Sequence, residues 1–295
     1  MARKMLSLKK SQNASQYTSR YIIGIDEVGR GPLAGPVTVC AFCVDTQNIS
    51  VKKLITELNF ALAKDIKGNS KKYKKRIVFD SKSINEGVRE RVAHAIYLYT
   101  KKPNMKSVTE NKGSTGDKIY VSIKNKTARQ IDTKGIATCI KDLVKEVLID
   151  ICTQIQSTSC DMGQFKHVHS SNNDDGRGGD NCAKSTMNYE HMKSVPVDNY
   201  EQIDILLDGG LRAPSQYMFQ KTIIKGDAKE PLIGLASILA KVHRDTYMKK
   251  ISKKYPKYGF EIHKGYGTKY HRDTIKQIGA SELHRKSFLR NFNNF

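Results

Sequence analysis

The chain has 295 residues, 38% of them hydrophobic, and a formal net charge of +22. This length allows one or two domains, and so positive a charge favours a polyanionic partner such as nucleic acid. No apolar run reaches the ~18 residues that a membrane-spanning helix needs, so no membrane partner is expected. A lysine-rich proteome would produce the same charge, so the charge supports nucleic-acid binding without establishing it.

The first twenty residues are basic, polar and free of acids. This composition overlaps with that of an organelle transit peptide, but its slight apolar content favours a flexible basic tail over residues 1–20. The six cysteines form no regular framework, which predicts free thiols in a reducing compartment. We therefore expect a cytoplasmic protein.

The first pair of strands is predicted over residues 21–26 and 36–45, joined as a hairpin by a turn rich in glycine and proline. Asp26 and Glu27 stand at the end of the first strand. Adjacent carboxylates repel each other at neutral pH unless a cation lies between them or they diverge into water. At a strand end they can share a divalent metal ion through hard oxygen ligands.

The turn that follows contains an arginine between two glycines. Gly29 and Gly31 let the backbone approach a ligand closely, and Arg30 offers a planar donor fork for phosphate. The acid pair and this turn together suggest metal-assisted chemistry on a phosphodiester. The alternative is a solvated strand end followed by an ordinary turn.

The middle of the chain alternates between regular elements and polar segments. The spacing of apolar residues predicts helices over 54–63, 85–100 and 134–155 and a strand over 119–123. Residues 157–199 are rich in Ser, Asn, Asp and Gly, which predicts a flexible insertion. Its cysteines and histidines match no spacing of a structural zinc site, so no zinc is expected there.

The last third is compact. Strands are predicted near 203–207 and 221–224, and helices near 230–251 and 270–279. Asp208 and Asp227 each follow one of these strands, although an aspartate next to a glycine is also a common turn residue. Strands alternating with helices predict an α/β sheet that is covered on both faces.

Six motifs occur in one order, and with them the sequence resembles ribonuclease HII, the bacterial type 2 ribonuclease H. They are Ile25 to Pro32, Asp80-Ser81-Lys82, Leu206 to Gly210, Ile223 to Asp227, Gly234 to Asp245 and His263 to Thr268. The resemblance covers about 21–45, 77–102, 118–156 and 203–290. It implies a central mixed sheet flanked by helices over 21–250, interrupted by insertions at about 46–76 and 157–199. A small helical C-terminal part over 251–295 is implied as well.

The resemblance also implies a site. The four carboxylates of the family's metal site map onto Asp26, Glu27, Asp208 and Asp227, which would hold two Mg²⁺ or Mn²⁺ ions, with Asp26 bridging them. Asp245 is expected in a supporting role. The substrate-binding residues implied are Gly29, Arg30, Gly31, Lys82, Ser237, Lys241 and Tyr266. In the family, the glycine-arginine-glycine backbone and the tyrosine read the junction between a ribonucleotide and the next deoxyribonucleotide.

The implied activity is metal-dependent hydrolysis of the RNA strand of RNA/DNA hybrids. Cutting 5′ of a ribonucleotide embedded in duplex DNA is also implied, with 3′-hydroxyl and 5′-phosphate ends. Two alternatives stay open: a weak or inactive hybrid-binding protein, and an enzyme similar to ribonuclease HIII. A monomer is expected. The aromatic, basic tail over 287–295 is expected to pack against the domain rather than to dock on a sliding clamp.

Overall fold

The computed structural model describes residues 19–64, 84–101, 119–160 and 202–290. Several predictions fall outside these ranges: the basic tail over 1–18, the basic end of the first insertion, and Lys82 with its motif. The second insertion, with its cysteines and histidines, and the last five residues also lie outside them.

The described part of the chain contains one five-stranded mixed sheet. Its strands are β1 (Tyr21–Val28), β2 (Val37–Asp45), β3 (Ile119–Lys126), β4 (Ile203–Asp208) and β5 (Gln220–Ile223), in the spatial order β3-β2-β1-β4-β5. The β1–β2 and β2–β3 pairs are antiparallel, whereas β4 runs parallel to both β1 and β5. The predicted strands and the predicted hairpin are confirmed.

Eight α-helices accompany the sheet in the described ranges. They are α1 (Val51–Lys64), α2 (Glu86–Lys101), α3 (Ala128–Lys134), α4 (Ile136–Cys160), α5 (Gly226–Lys229), α6 (Pro231–Ser252), α7 (Phe260–His263) and α8 (Lys269–Ile278). The helix predicted over 134–155 is confirmed as α4, whereas α3, which ends just before it at Gly135, was not predicted. That glycine has φ +79° and donates its N–H to the Ile131 carbonyl, which ends α3. None of the described helices is long and apolar enough to cross a membrane.

Helices cover both faces of the sheet, as the alternation of elements predicts. Side chains of β1 alternate between the faces: Ile23 and Ile25 pack toward α4, while Ile22 packs toward α6 and the α1–α2 pair. Leu54 and Leu58 of α1 are buried in that second cluster. The first insertion therefore contributes a helix to the core.

Helix α6 approaches the sheet closely at Gly24 in the middle of β1. A Cβ added there would lie 2.3 Å from the backbone carbon of Leu232 on α6. Only glycine allows this contact, because a side chain would have to displace main chain rather than a flexible side chain. This contact seats α6 directly against the middle of β1.

The C-terminal part packs on the loop between β1 and β2. Ala34 in that loop forms an isolated bridge with His284 and shares a small apolar cluster with Met248, Tyr258 and Phe260. Phe288 packs partly buried against the main core, so the start of the tail does pack on the domain. The fold thus brings the chain's last described residues next to its first hairpin.

Candidate active site

Three carboxylates meet at the C-terminal ends of two adjacent parallel strands. The last pair in the register of β1 and β4 is Ile25 with Leu207, so Asp26 and Asp208 follow side by side just beyond the paired residues. Glu27 comes next on β1. Asp26 is only 5% exposed and its carboxylate accepts a hydrogen bond from the Ser237 hydroxyl on α6. The structure therefore brings these predicted residues together.

The negative charges of Asp26, Glu27 and Asp208 repel one another. Burial raises the pKa of Asp26 to about 7, and the negative charges of Glu27 and Asp208 add to the rise, whereas the Ser237 hydrogen bond opposes it. Burial also raises the pKa of Glu27, where the charge of Arg30 acts against the rise and that of Asp208 adds to it. A cation among the three would relieve this repulsion.

Asp227 belongs to the same region but not to a strand end. It lies in the first turn of α5, four residues beyond the end of β5, and is 4% exposed. The turn is tied to β4, because the Gly226 N–H donates to Asp208 Oδ1 at 2.6 Å. The expectation that Asp227 directly follows a strand is thus corrected, since Lys225 at φ +56° turns the chain into the short helix first.

The four candidate ligands are chemically suited to hard divalent ions, because all of them are carboxylates. In the conformations described, no group of three or more acid, histidine or cysteine side chains in the described ranges is arranged to hold one ion. Glu27 Oε1 is instead 2.9 Å from Arg30 Nη2, and Asp26 Oδ1 accepts the Glu27 N–H at 2.7 Å. Asp26 and Glu27 therefore have hydrogen-bond donors of the protein as partners, and a bound ion would take the place of these donors.

The glycine-arginine-glycine turn is closed on one side and open on the other. Gly29 has φ +88°, and a Cβ added there would lie 2.4 Å from Arg244 Nε, so this position requires glycine. A Cβ added at Gly31 would meet nothing within 4 Å. Arg30 is exposed between them. The turn is therefore closed at Gly29 and open to solvent at Arg30 and Gly31.

Tyr266, at 39% exposure, stands on the loop after α7 beside two cations of α6. Lys241 Nζ lies 5.8 Å and Arg244 Cζ 5.7 Å from the centre of its ring. Lys241 Nζ is 2.9 Å from Asp245 Oδ1, so Asp245 pairs with Lys241 on the same helix. The structure thus brings Tyr266 and Lys241 together.

Two buried arginines bind the main chain of the loop between β1 and β2 through hydrogen bonds. The sequence analysis predicted this role for neither of them. Arg244 and Arg285 are both 0% exposed. Arg244 donates to the carbonyls of Pro36, Ala34 and Lys264. Arg285 donates to those of Gly29, Arg30 and Gly35. Burial and then repulsion by Arg244 lower the pKa of Arg285 to about 9, so it remains charged at neutral pH.

Three buried histidines fix the Tyr266 loop. His263 Nδ1 accepts the Gly265 N–H at 3.1 Å, and His271 Nδ1 donates to the Tyr266 carbonyl at 2.9 Å. His271 Nε2 lies 3.0 Å from His284 Nε2. The Nδ1 atom of His284 accepts the Ser281 N–H, so its Nε2 carries the proton and donates to His271. All three rings are therefore neutral in this arrangement.

Comparison with known proteins agrees with the geometry. The family model for ribonuclease HII matches residues 23–176 and 151–291. A ribonuclease HII of Clostridium perfringens (strain 13 / Type A) is 30% identical over 272 residues, covering 92% of this chain and 68% of the relative. A ribonuclease HII of Caldicellulosiruptor bescii is 32% identical over 272 residues, covering 92% of this chain and 88% of the relative.

Among solved structures, ribonuclease H2 of Pyrococcus horikoshii OT3 aligns with 93% of this chain and 97% of its own. The identity is 19% and the TM-score is 0.49. A similarity of this size adds nothing to the sequence match.

Proposed function

The chain belongs to the ribonuclease HII family and is an endoribonuclease H, and we propose that it hydrolyses the RNA strand of RNA/DNA hybrids with two Mg²⁺ or Mn²⁺ ions. We further propose that it cuts 5′ of a ribonucleotide embedded in duplex DNA and leaves 3′-hydroxyl and 5′-phosphate ends. The observation that carries this proposal is the meeting of Asp26, Glu27 and Asp208 at the ends of β1 and β4.

Asp26, Glu27, Asp208 and Asp227 would hold the ions. Two such ions supply an activated water and neutralise the charge that develops on the phosphate. Ser237 orients the Asp26 carboxylate through its hydroxyl. Arg30 would exchange its present partner, Glu27, for a phosphate of the substrate when Glu27 becomes a ligand.

Substrate contacts are proposed for the open side of the glycine turn and for the neighbouring cations. Gly29, Arg30 and Gly31 would contact the sugar and phosphate through their main chain, because no side chain of Gly31 stands in the way. The Tyr266 ring would pack on the next deoxyribose, where an additional hydroxyl is disfavoured. Lys241 would bind a phosphate near the site, and Lys82, outside the described residues, is proposed for the same role.

A cytoplasmic location and a monomeric state remain proposals. The four cysteines whose side chains are described, Cys40, Cys43, Cys139 and Cys152, are free and buried. Free thiols support a reducing compartment. Gel filtration of the purified chain tests the monomer.

The first experiment is cleavage of a labelled DNA duplex with one ribonucleotide, in Mg²⁺ and in Mn²⁺. Wild type is compared with Asp26→Asn and with Asp204→Asn, which removes a carboxylate from the opposite end of β4. We expect one cut 5′ of the ribonucleotide in wild type and Asp204→Asn, and none in Asp26→Asn.

Other outcomes separate the alternatives. Cutting only within longer RNA tracts would indicate ribonuclease HIII-like behaviour. Tight binding of the hybrid without any metal-dependent cutting would indicate a binding protein. Full activity in Asp26→Asn would refute the proposed metal site.

A further inference from the structure

Arg285 reaches from the C-terminal part to the underside of the glycine-arginine-glycine turn. Its Nη2 donates to the Gly29 carbonyl at 2.6 Å, its Nη1 to the Arg30 carbonyl at 2.9 Å and its Nε to the Gly35 carbonyl at 3.0 Å. The side chain is fully buried, so water does not compete for these bonds. One planar group therefore holds three carbonyls of the loop.

These bonds set the direction of two peptide groups. In a trans peptide the N–H points opposite to the carbonyl of the preceding residue, and no peptide bond in the described ranges is cis. The carbonyls of Gly29 and Arg30 point inward to Arg285. The N–H groups of Arg30 and Gly31 must therefore point away from Arg285, in a turn that is open at Gly31, where a Cβ would meet nothing within 4 Å.

The buried guanidinium charges strengthen the N–H groups of Arg30 and Gly31 as hydrogen-bond donors to oxygen atoms of a ligand. A guanidinium polarises the peptide groups whose carbonyls it binds, and hydrogen bonds to charged groups are about twice as strong as neutral ones. Arg244 adds a second buried guanidinium, which binds the Ala34 and Pro36 carbonyls further along the same loop. Within the described ranges, all six of the hydrogen bonds made by these two guanidiniums go to main-chain carbonyls.

We propose that Arg285 is a positioning residue for substrate recognition, which aims the amides of Arg30 and Gly31 at the ribose and phosphate oxygens of the ribonucleotide. This inference rests on the proposed function, because that function places the ribonucleotide against this turn. Arg285 itself does not contact substrate. Its effect is carried entirely by the two peptide groups that it orients.

The test is a ratio of affinities measured on one protein. Binding to a duplex with one ribonucleotide is compared with binding to the all-DNA duplex of the same sequence, with Mg²⁺ and in an Asp26→Asn background that prevents cleavage. Misfolded molecules cancel from this ratio, so a merely structural role of Arg285 would not change it. Circular dichroism and Tm are recorded for each variant.

We compare Arg285→Met, which has no donors, and Arg285→Lys, which keeps the charge but loses the planar fork. Arg129→Gln on α3 is the matched control, because it removes an exposed arginine. The preference for the ribonucleotide should fall about tenfold in Arg285→Met, as expected for two weakened hydrogen bonds. It should fall less in Arg285→Lys and stay unchanged in Arg129→Gln.

An unchanged preference in Arg285→Met would refute the inference while the proposed function stands. If Arg285→Met does not fold, an unchanged preference in Arg285→Lys refutes it equally. An equal loss in Arg129→Gln would show a general effect of charge and would also refute it. A parent protein with no preference for the ribonucleotide would refute the proposed function, and the inference with it.

Discussion

Arg285 Nη2 and the carbonyl oxygen of Gly29 are 2.6 Å apart, although 256 residues separate them in sequence. This contact ties the C-terminal part to the turn that follows the acid pair. The turn is therefore shaped by residues far along the chain as well as by its own glycines. Substitutions at Gly29, which is enclosed by Arg244 and Pro36, should therefore affect the stability of the protein more than substitutions at the open position Gly31.

Gly29→Ala and Gly31→Ala should differ strongly. At Gly29 the backbone has φ +88° and the new Cβ would lie 2.4 Å from Arg244 Nε and 2.7 Å from the Pro36 carbonyl. We expect Gly29→Ala to lower the free energy of unfolding by about 2 kcal/mol or more. Gly31→Ala should leave it within about 0.5 kcal/mol, because the site is open.

Urea denaturation measures both changes, and cleavage of the single-ribonucleotide duplex is measured on the same samples. Gly31→Ala should lose activity without losing stability, since its methyl group would stand where the substrate is proposed to bind. A fully active Gly31→Ala would argue against substrate on that side of the turn.

The buried histidines predict a loss of stability in mild acid. Burial lowers the pKa of His271 and of His284 from 6.5 to about 4. The unfolded chain therefore binds protons that the folded chain does not, and the free energy of unfolding falls as the pH drops from about 6.5 toward 4. Each histidine contributes a slope of at most about 1.4 kcal/mol per pH unit in this range.

Tm measured from pH 7.5 to 4.5 tests this prediction. His284→Gln should be less stable at pH 7.5 but should lose stability less steeply below pH 6.5. His94→Gln on α2, where the histidine is exposed, controls for the removal of an imidazole. A slope in His284→Gln as steep as that of the wild type would contradict the prediction.

Sequence reasoning succeeded where a signal was periodic. Alternation and apolar runs located all five strands, because a strand that is buried on one or both faces leaves a regular pattern. The helix over 134–155 was located as α4, but α3 before it was missed, because a seven-residue helix with two buried residues, Ala128 and Ile131, leaves no periodic pattern. Gly135, at φ +79°, separates α3 from α4.

The site was predictable only in part, and for a physical reason. Asp26 and Glu27 lie near the end of β1 and Asp208 ends β4, each after an apolar run, so their meeting at one end of the sheet follows from the strand pattern. Arg285 carries no such signal, since it is one of 51 basic residues and its burial depends on long-range contacts. Asp227 was correctly expected nearby, but the helical turn that holds it was not.

Lys241→Met should weaken the binding of duplex and reduce its dependence on salt. Lys241 is held by Asp245 at 2.9 Å and lies next to the Tyr266 ring. If it binds one phosphate, the slope of log K against log salt should become less steep by about 0.9. Lys141→Met, which removes an exposed lysine from α4, is the control and should leave the slope unchanged. Equal slopes for Lys241→Met and the wild type would rule out that phosphate contact.

Divalent ions should stabilise the folded chain even without substrate. Mn²⁺ bound among Asp26, Glu27 and Asp208 would offset the burial and the repulsion that together raise the pKa of Asp26. At 100 times its dissociation constant, a bound ion raises the free energy of unfolding by about 2.7 kcal/mol. Tm should therefore rise when Mn²⁺ replaces EDTA.

Asp208→Asn should lose most of this rise, whereas Asp204→Asn at the other end of β4 should keep it. The same rise in Asp208→Asn as in the wild type would place the ion elsewhere.

The position of Arg285 has a consequence for synthesis of the chain on the ribosome. The first hairpin, β1 with β2, emerges when most of the protein has not yet been translated. The carbonyls of Gly29, Arg30 and Gly35 receive their donor only when residue 285 has left the exit tunnel. A nascent or prematurely terminated chain would therefore contain every carboxylate of the site while its glycine turn still lacked its final shape.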